Sequence, residues 1–199
     1  SSMIAAGLFI SISIPLSQID FIRFDTFLLF ADNSHILKLV LTYLLFIIPF
    51  FCGGLAIGLI FVAYAGDIGR LYFSDMLGSG IGGIGILILL WIFLPTISPM
   101  IVALLPVTGG IVAMDRGKRI VPLFIAIISI LFIGYHLFVP VKLENSQYKS
   151  ISKTLDLPDA EVEIVRNSPF GFIQVVRSES IRHAPGLSLN YRGEIPVRK

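Results

Sequence analysis

The sequence has few charged residues and almost no cysteine. Only 14% of its 199 residues are Asp, Glu, Lys or Arg, and 55% are hydrophobic, whereas soluble domains carry about 25% charged residues. The net charge of +2 is small and dispersed, which excludes the basic surface that nucleic-acid binding requires. Cys52 is the single cysteine, so an internal disulfide and a multi-cysteine metal site are excluded. The remaining class is a membrane protein.

The scarce charges are unevenly distributed along the chain. Residues 1–139 contain 6 of the 15 Lys and Arg and 6 of the 13 Asp and Glu, so residues 140–199 contain 9 and 7. The charge density therefore more than doubles after residue 139. This change predicts two parts: a transmembrane helical domain over residues 1–139 and a short soluble segment over residues 140–199.

Five apolar runs approach the ~20 residues that a helix needs to cross a bilayer. They predict spans near residues 3–19, 36–64, 76–94, 97–114 and 120–139. The first run is the weakest, because polar residues such as Ser11 and Ser13 dilute it. It could also be the apolar region of a signal peptide, but it lacks a basic N-terminal flank and a cleavage pattern. We therefore predict a mainly α fold, a polytopic domain of about five spans followed by a segment rich in β-hairpins.

An aromatic segment separates the first two predicted spans. Residues 20–35 alternate acidic residues with Phe21, Phe24, Phe27 and Phe30, and the apolar positions do not form one helical face. We predict that this segment lies in the headgroup layer with its rings as anchors.

Glycine pairs mark the second and third predicted spans. Gly54 and Gly58, and likewise Gly78 and Gly82, form the G-x-x-x-G spacing that lets helix backbones approach closely in membranes. Residues 78–85 also contain a formal G-x-G-x-x-G, but no strand precedes it and uninterrupted hydrocarbon follows, which excludes a dinucleotide site. We predict that these four glycines pack helices together.

Three charged residues lie between the second and third predicted spans. Asp67 and Arg70 have the spacing of a pair on one helical face, and Asp75 follows five residues later. A solvated or structurally paired role is the simpler interpretation. If the segment enters the bilayer, the three residues instead form an intramembrane polar site, because charge is costly there.

In the last sixty residues the hydrophobic pattern changes from the helical period to the alternation that is typical of strands. Residues 162–166 and 172–177 read as two strands around a turn at residues 167–171, where Pro and Gly favour a reversal. A weaker pair is predicted at residues 187–191 and 194–197. No nucleophile elbow, H-E-x-x-H or Walker A motif occurs in the sequence. We therefore assign no catalytic, cofactor-binding or metal-ligating residue.

Several motifs, taken in order, resemble one family. Residues 70–82 resemble the Y-x-x-D-L-x-G-A-x-x-G element of membrane proteins fused to a spermidine-synthase-like domain, and residues 48–55 are similar to the helix before that element. Residues 168–176 resemble the S-x-Y-G-x-I-x-V hairpin that opens the small β-domain of aminopropyltransferase-like proteins. Residues 184–189 are also similar to the same fusion proteins.

The resemblance implies a membrane anchor followed by a Rossmann domain of the S-adenosylmethionine type. In soluble family members that domain binds decarboxylated S-adenosylmethionine and transfers an aminopropyl group to putrescine. Decarboxylated S-adenosylmethionine or S-adenosylmethionine would therefore be a cofactor of a longer protein, and we expect none in this chain. We expect the chain to be a truncated fusion protein that is inactive alone because the Rossmann domain is absent.

Two functions follow from these patterns. The first is a membrane-anchoring region in the bacterial inner membrane, whose partners are the lipid bilayer, its own missing C-terminal domain and, through the glycine pairs, a second copy in a homo-oligomer. The second is a small multi-pass transporter or channel-like protein in which Asp67, Arg70 and Asp75 line a polar path. No nucleic-acid partner is expected.

Overall fold

A computed structural model describes residues 2–114, 120–143, 146–181 and 193–194. The chain divides into two compact units, residues 1–143 and 144–199. The first unit contains α1 (Ser2–Ser17), α2 (Asn33–Ala63), a short 3-10 turn (Ala65–Asp67), α3 (Ile68–Ile92), α4 (Ser98–Val112) and α5 (Ile120–Phe138). The second contains α6 (Ser150–Leu155), β1 (Glu161–Ser168) and β2 (Gly171–Arg177). The protein is thus mainly helical with a small antiparallel sheet.

Three helical segments are long and apolar enough to cross a membrane. They are α2 with 31 residues, the stretch Ala65–Ile92 with 28, and α5 with 19. These segments make the chain compatible with an integral membrane protein, as its composition predicts. By length alone the predicted number of five is too high, since α1 and α4 have only 16 and 15 residues. At 1.5 Å per residue they are about 24 and 22 Å long, short of a ~30 Å hydrocarbon core.

The core of the first unit lies where α1, α4 and α5 meet. Ile4, Val107 and Ala126 form one buried cluster. Met100, Ala103 and Ile133 form a second, with residues such as Ile10 packed against it. The beginning of α1 therefore lies against the end of α4 and the beginning of α5, while the end of α1 lies against the beginning of α4. Thus α1 and α4 are antiparallel neighbours.

The polar residues of α1 explain why the weakest predicted span occupies a central position. Ser11 and Ser13 are buried, and their hydroxyls donate to the carbonyls of Leu8 and Phe9 one turn earlier. These hydroxyls need no partner outside the helix, so a small serine can lie at a helix contact without an unsatisfied polar group. The same serines lower the hydropathy of the run, although α1 packs against α4 and α5.

The helix that contains the third predicted span begins before that span. The structure starts α3 at Ile68 rather than near residue 76. Tyr64, with φ −121° and ψ 38°, ends α2, and the 3-10 turn leads directly into α3. Charged residues lower hydropathy, but they do not stop a helix. For this reason Arg70 and Asp75 are helical rather than part of a loop between two spans.

The predicted hairpin is present in the second unit. β1 and β2 pair antiparallel, and Ser168 opposite Gly171 closes a two-residue loop of Pro169 and Phe170. The register shifts between Val162 and Ile164, which is a bulge. The predicted second pair, residues 187–191 and 194–197, lies outside the described residues except for position 194.

Candidate functional site

The charged residues near the start of α3 form an open polar group. Asp67 is the N-cap residue of α3, but its side chain makes no capping hydrogen bond. Asp67 and Arg70 are exposed, and Asp75 is partly exposed. With 3.6 residues per turn, the two carboxylates project about 80° apart on the helix. The structure thus places the three residues on neighbouring turns, at the end of the long segment that could cross the membrane.

No ion pair links these three residues. Within the described part of the chain, one ion pair has an N···O distance of 4 Å or less. It joins Nη2 of Arg23 to Oδ1 of Asp20 at 2.9 Å. The predicted Asp67–Arg70 pair is therefore absent. The described residues also contain no cluster of three or more His, Cys, Asp or Glu that could hold a metal ion. The polar group can attract or orient ions but presents no assembled catalytic set.

The predicted packing glycines lie on open helix surfaces. A methyl group built at Gly54, Gly58, Gly78 or Gly82 would meet no atom of the described residues within 4 Å apart from its chain neighbours and the backbone of its own helix. Around Gly54 and Gly58, side chains including Phe51 leave an apolar groove along α2. The described chain does not bring the two glycine pairs together. Packing through them stays a prediction about contacts with another molecule.

Two glycines outside the predicted pairs make the close contact between α1 and α4. A methyl group on Gly7 would lie 2.5 Å from Val107 Cγ2 and 2.8 Å from the Ala103 carbonyl oxygen. One on Gly110 would lie 2.5 Å from Ile4 Cγ1. A signal was present, since Gly7 and Ser11 have the small-x-x-x-small spacing. This spacing is easily overlooked, because the polar residues of the first run make it a weak membrane span.

An apolar cavity lies where three helix ends meet. It has a volume of about 190 Å³ and lies between the start of α1 and the ends of α2 and α4. Its lining includes Met3, Ala56, Ile60, Tyr64 and Gly110. Among the described lining side chains there is no carboxylate, imidazole or amine, and most of the lining is apolar, so this cavity offers space mainly for hydrocarbon.

Comparison with protein-family models, with curated proteins and with solved structures finds no match for the chain.

Proposed function

We propose that residues 1–143 form a five-helix membrane domain that holds the following soluble unit at the bilayer. One observation carries this proposal: the short helices α1 and α4 lie lengthwise beside α5, a helix of membrane-spanning length. The two buried clusters join the same three helices at both ends. If α5 crosses the bilayer, its two short neighbours extend through much of the same depth, and their buried serines and glycines are shielded from lipid.

The exterior of the domain fits this role. In the apolar 18-residue stretch of Ala65–Ile92 no residue is buried, and in the corresponding stretches of α2 and α5 only 17% of the residues are buried. A soluble domain would not expose such long apolar helices, whereas lipid tails are a suitable solvent for them. The domain thus presents a hydrocarbon surface and leaves the charged unit after residue 143 outside the bilayer.

We further propose that the soluble unit belongs to a spermidine-synthase-like protein in the bacterial inner membrane. The support is the order of the motifs at residues 48–55, 70–82 and 168–176, the last of which covers the turn and second strand of the hairpin. A longer protein of this kind would use S-adenosylmethionine or its decarboxylated form. Because its substrates are cytosolic, the soluble unit would face the cytosol.

Fractionation tests the anchoring role. A fluorescent protein is fused after Lys199 and the fusion is expressed in bacteria. We expect the fusion to sediment with membranes, to resist alkaline carbonate, and to fluoresce, since fluorescent proteins mature in the cytosol. Recovery in the soluble fraction would contradict membrane anchoring. A dark, membrane-bound fusion would contradict only the cytosolic side.

The transporter function makes a different prediction. Asp67 and Asp75 lie in the segment Ala65–Ile92, which is the observation that favours a polar path. In an anchor, the double variant D67N/D75N keeps its carbonate resistance and its level of expression. In a transporter, the same variant loses the transport phenotype. Asp20→Asn, outside this segment, is the matched control.

A further inference from the structure

The segment between α1 and α2 is a compact element rather than a loose connection. Its backbone N–H groups are used in local turns: those of Ile22 and Arg23 donate to the carbonyl of Ile19 at 2.8 and 2.7 Å. Those of Ala31 and Asp32 donate to the carbonyl of Leu28 at 3.0 and 2.9 Å. Backbone groups paired in this way can enter a poorly hydrated environment without the cost of an unsatisfied donor.

Three phenylalanine rings of this segment are largely exposed. Phe21 is 73% exposed, Phe27 is 58% exposed and Phe30 is fully exposed. They alternate with charged residues, and residues 18–32 contain three Asp and one Arg. Such a mixture of rings and charges is typical of a segment at the boundary of headgroups and acyl chains. The segment joins the end of α1 to the start of α2, which is where this boundary lies if both helices enter the bilayer.

Two side chains of α2 hold the segment in place. The backbone N–H of Asp25 donates to Nδ1 of His35 at 2.9 Å, so this ring nitrogen acts as an acceptor. The hydroxyl oxygen of Thr42 lies 3.1 Å from the Ile22 carbonyl oxygen and 2.9 Å from that of Lys38. These contacts join positions 10 and 20 residues apart in sequence. They fix the segment relative to the helix axis.

We propose that residues 18–32 form a rigid interfacial anchor whose phenylalanine rings enter the headgroup–acyl boundary of the bilayer. His35 and Thr42 are its positioning residues, because they set the depth of the rings relative to α2. The partner is the lipid surface itself. This inference rests on the proposed function, since it needs α2 to lie in the membrane.

Tryptophan fluorescence measures the depth of the anchor. The chain has one tryptophan, Trp91, so the variant F30W/W91F carries its only indole at the tip of the segment. It is reconstituted in phosphatidylcholine vesicles brominated either at the sixth and seventh or at the eleventh and twelfth acyl carbons. For a ring about 5–10 Å deep, we expect at least about twofold stronger quenching by the shallow bromines. Emission that neither lipid quenches would overturn the anchor.

A matched control distinguishes an anchor from any exposed ring. Phe170, in the hairpin loop of the second unit, is 96% exposed, so F170W/W91F presents an equally accessible indole. We expect no quenching there, and equal quenching at positions 30 and 170 would overturn the proposal. The wild-type chain reports separately on the proposed function through Trp91 in α3. If bromine quenches Trp91 but not Trp at position 30, the anchor fails and the membrane domain stands; if it quenches neither, the membrane domain itself fails.

Substitutions test the positioning residues. In the F30W/W91F background, H35L and T42V each remove one contact, and we expect the preference for shallow bromines to fall about twofold as the segment loosens. H35N keeps an oxygen acceptor near the position of Nδ1 and should restore the preference. T108V is the control, because the Thr108 hydroxyl contacts only carbonyls of its own helix. The same two substitutions made in the wild-type chain, which keeps Trp91, verify folding through Trp91 quenching, and an unchanged depth of the position-30 indole in both F30W/W91F variants would overturn their role.

Discussion

At the scale of single residues, Asp32 connects the aromatic segment to the helix that follows it. Its carboxylate accepts a hydrogen bond from the Ser34 backbone N–H at 2.9 Å and caps α2. This bond and the one from the Ser34 hydroxyl lower the pKa of the Asp32 carboxyl below its ordinary value of 3.8, with smaller contributions from His35 and Lys38. The ionised form is therefore the better cap.

The lowered pKa of Asp32 predicts that the first turn of α2 loses stability in acid. A carboxyl whose pKa is depressed by folding contributes its full stabilisation above pH 3.8, and this contribution disappears as the pH falls through the lower folded-state pKa. Amide hydrogen exchange measures it: protection at the start of α2, corrected for intrinsic rates, should be nearly constant from about pH 6 to about pH 5 and should fall as the pH is lowered through 3.8 towards the folded-state pKa. Asp32→Asn keeps a good cap without titrating, so the same protection should then be independent of pH. An equal acid loss in both proteins would contradict this explanation.

Single glycines predict opposite effects of the same substitution. Gly7→Ala places a methyl group 2.8 Å from a backbone oxygen of α4, so the helices must separate, at a cost of about 1–3 kcal/mol. The methyl group of Gly58→Ala meets no other described helix within 4 Å, so this substitution should be neutral or stabilise α2 by up to about 1 kcal/mol. Thermal unfolding in detergent, followed by circular dichroism, compares the two variants.

Each outcome of that comparison is informative about packing. A Gly7→Ala protein as stable as wild type would show that α1 and α4 are not in close contact. Dissociation of an oligomer by Gly58→Ala, seen by light scattering, would show that the glycine pair on α2 binds a second copy. An unchanged mass distribution would contradict the predicted homo-oligomer contact at that position.

At the scale of elements, the sequence was most informative where structure depends on neighbouring residues. The hairpin could be predicted because alternation and the turn residues act over a few positions, and the observed turn falls within the predicted residues 167–171. The start of α3 could not, because hydropathy measures preference for lipid and not helix formation. The eight residues from Ile68 to Asp75 include two charges yet continue the helix.

The helix contacts could not be predicted for a different physical reason. A glycine pair shows that a surface is flat, but it does not show which helix lies against it. Gly54 and Gly58 have the G-x-x-x-G spacing, yet no other described helix lies against them. Gly7 and Gly110 have no glycine four residues away, yet they make the close contact between α1 and α4. Likewise, the sequence showed Asp67, Arg70 and Asp75 as a group but not that they lack an ion pair.

At the scale of the whole molecule, the number of crossings decides on which side each connection lies. If α2 and α3 both cross, they return the chain to the side of residues 18–32 before α4. If α4 and α5 both cross, residues 139–143 lie on the side of residues 18–32. If α4 does not cross, α5 takes residues 139–143 to the opposite side. The antiparallel packing of α1 and α4, with α5 beside both at each buried cluster, favours the first arrangement.

Cysteine accessibility measures this sidedness directly. Because Cys52 is the single cysteine, Cys52→Ala provides a background for one new thiol at a time, at the exposed positions Ala31, Gly66 and Lys142. With an impermeant maleimide and intact spheroplasts, we expect A31C and K142C to behave alike and G66C to behave oppositely. If K142C instead follows G66C, α4 does not cross and the five-helix domain is wrong. α2, α3 and α5 would then cross without α4, and α4 would have to lie at the membrane surface.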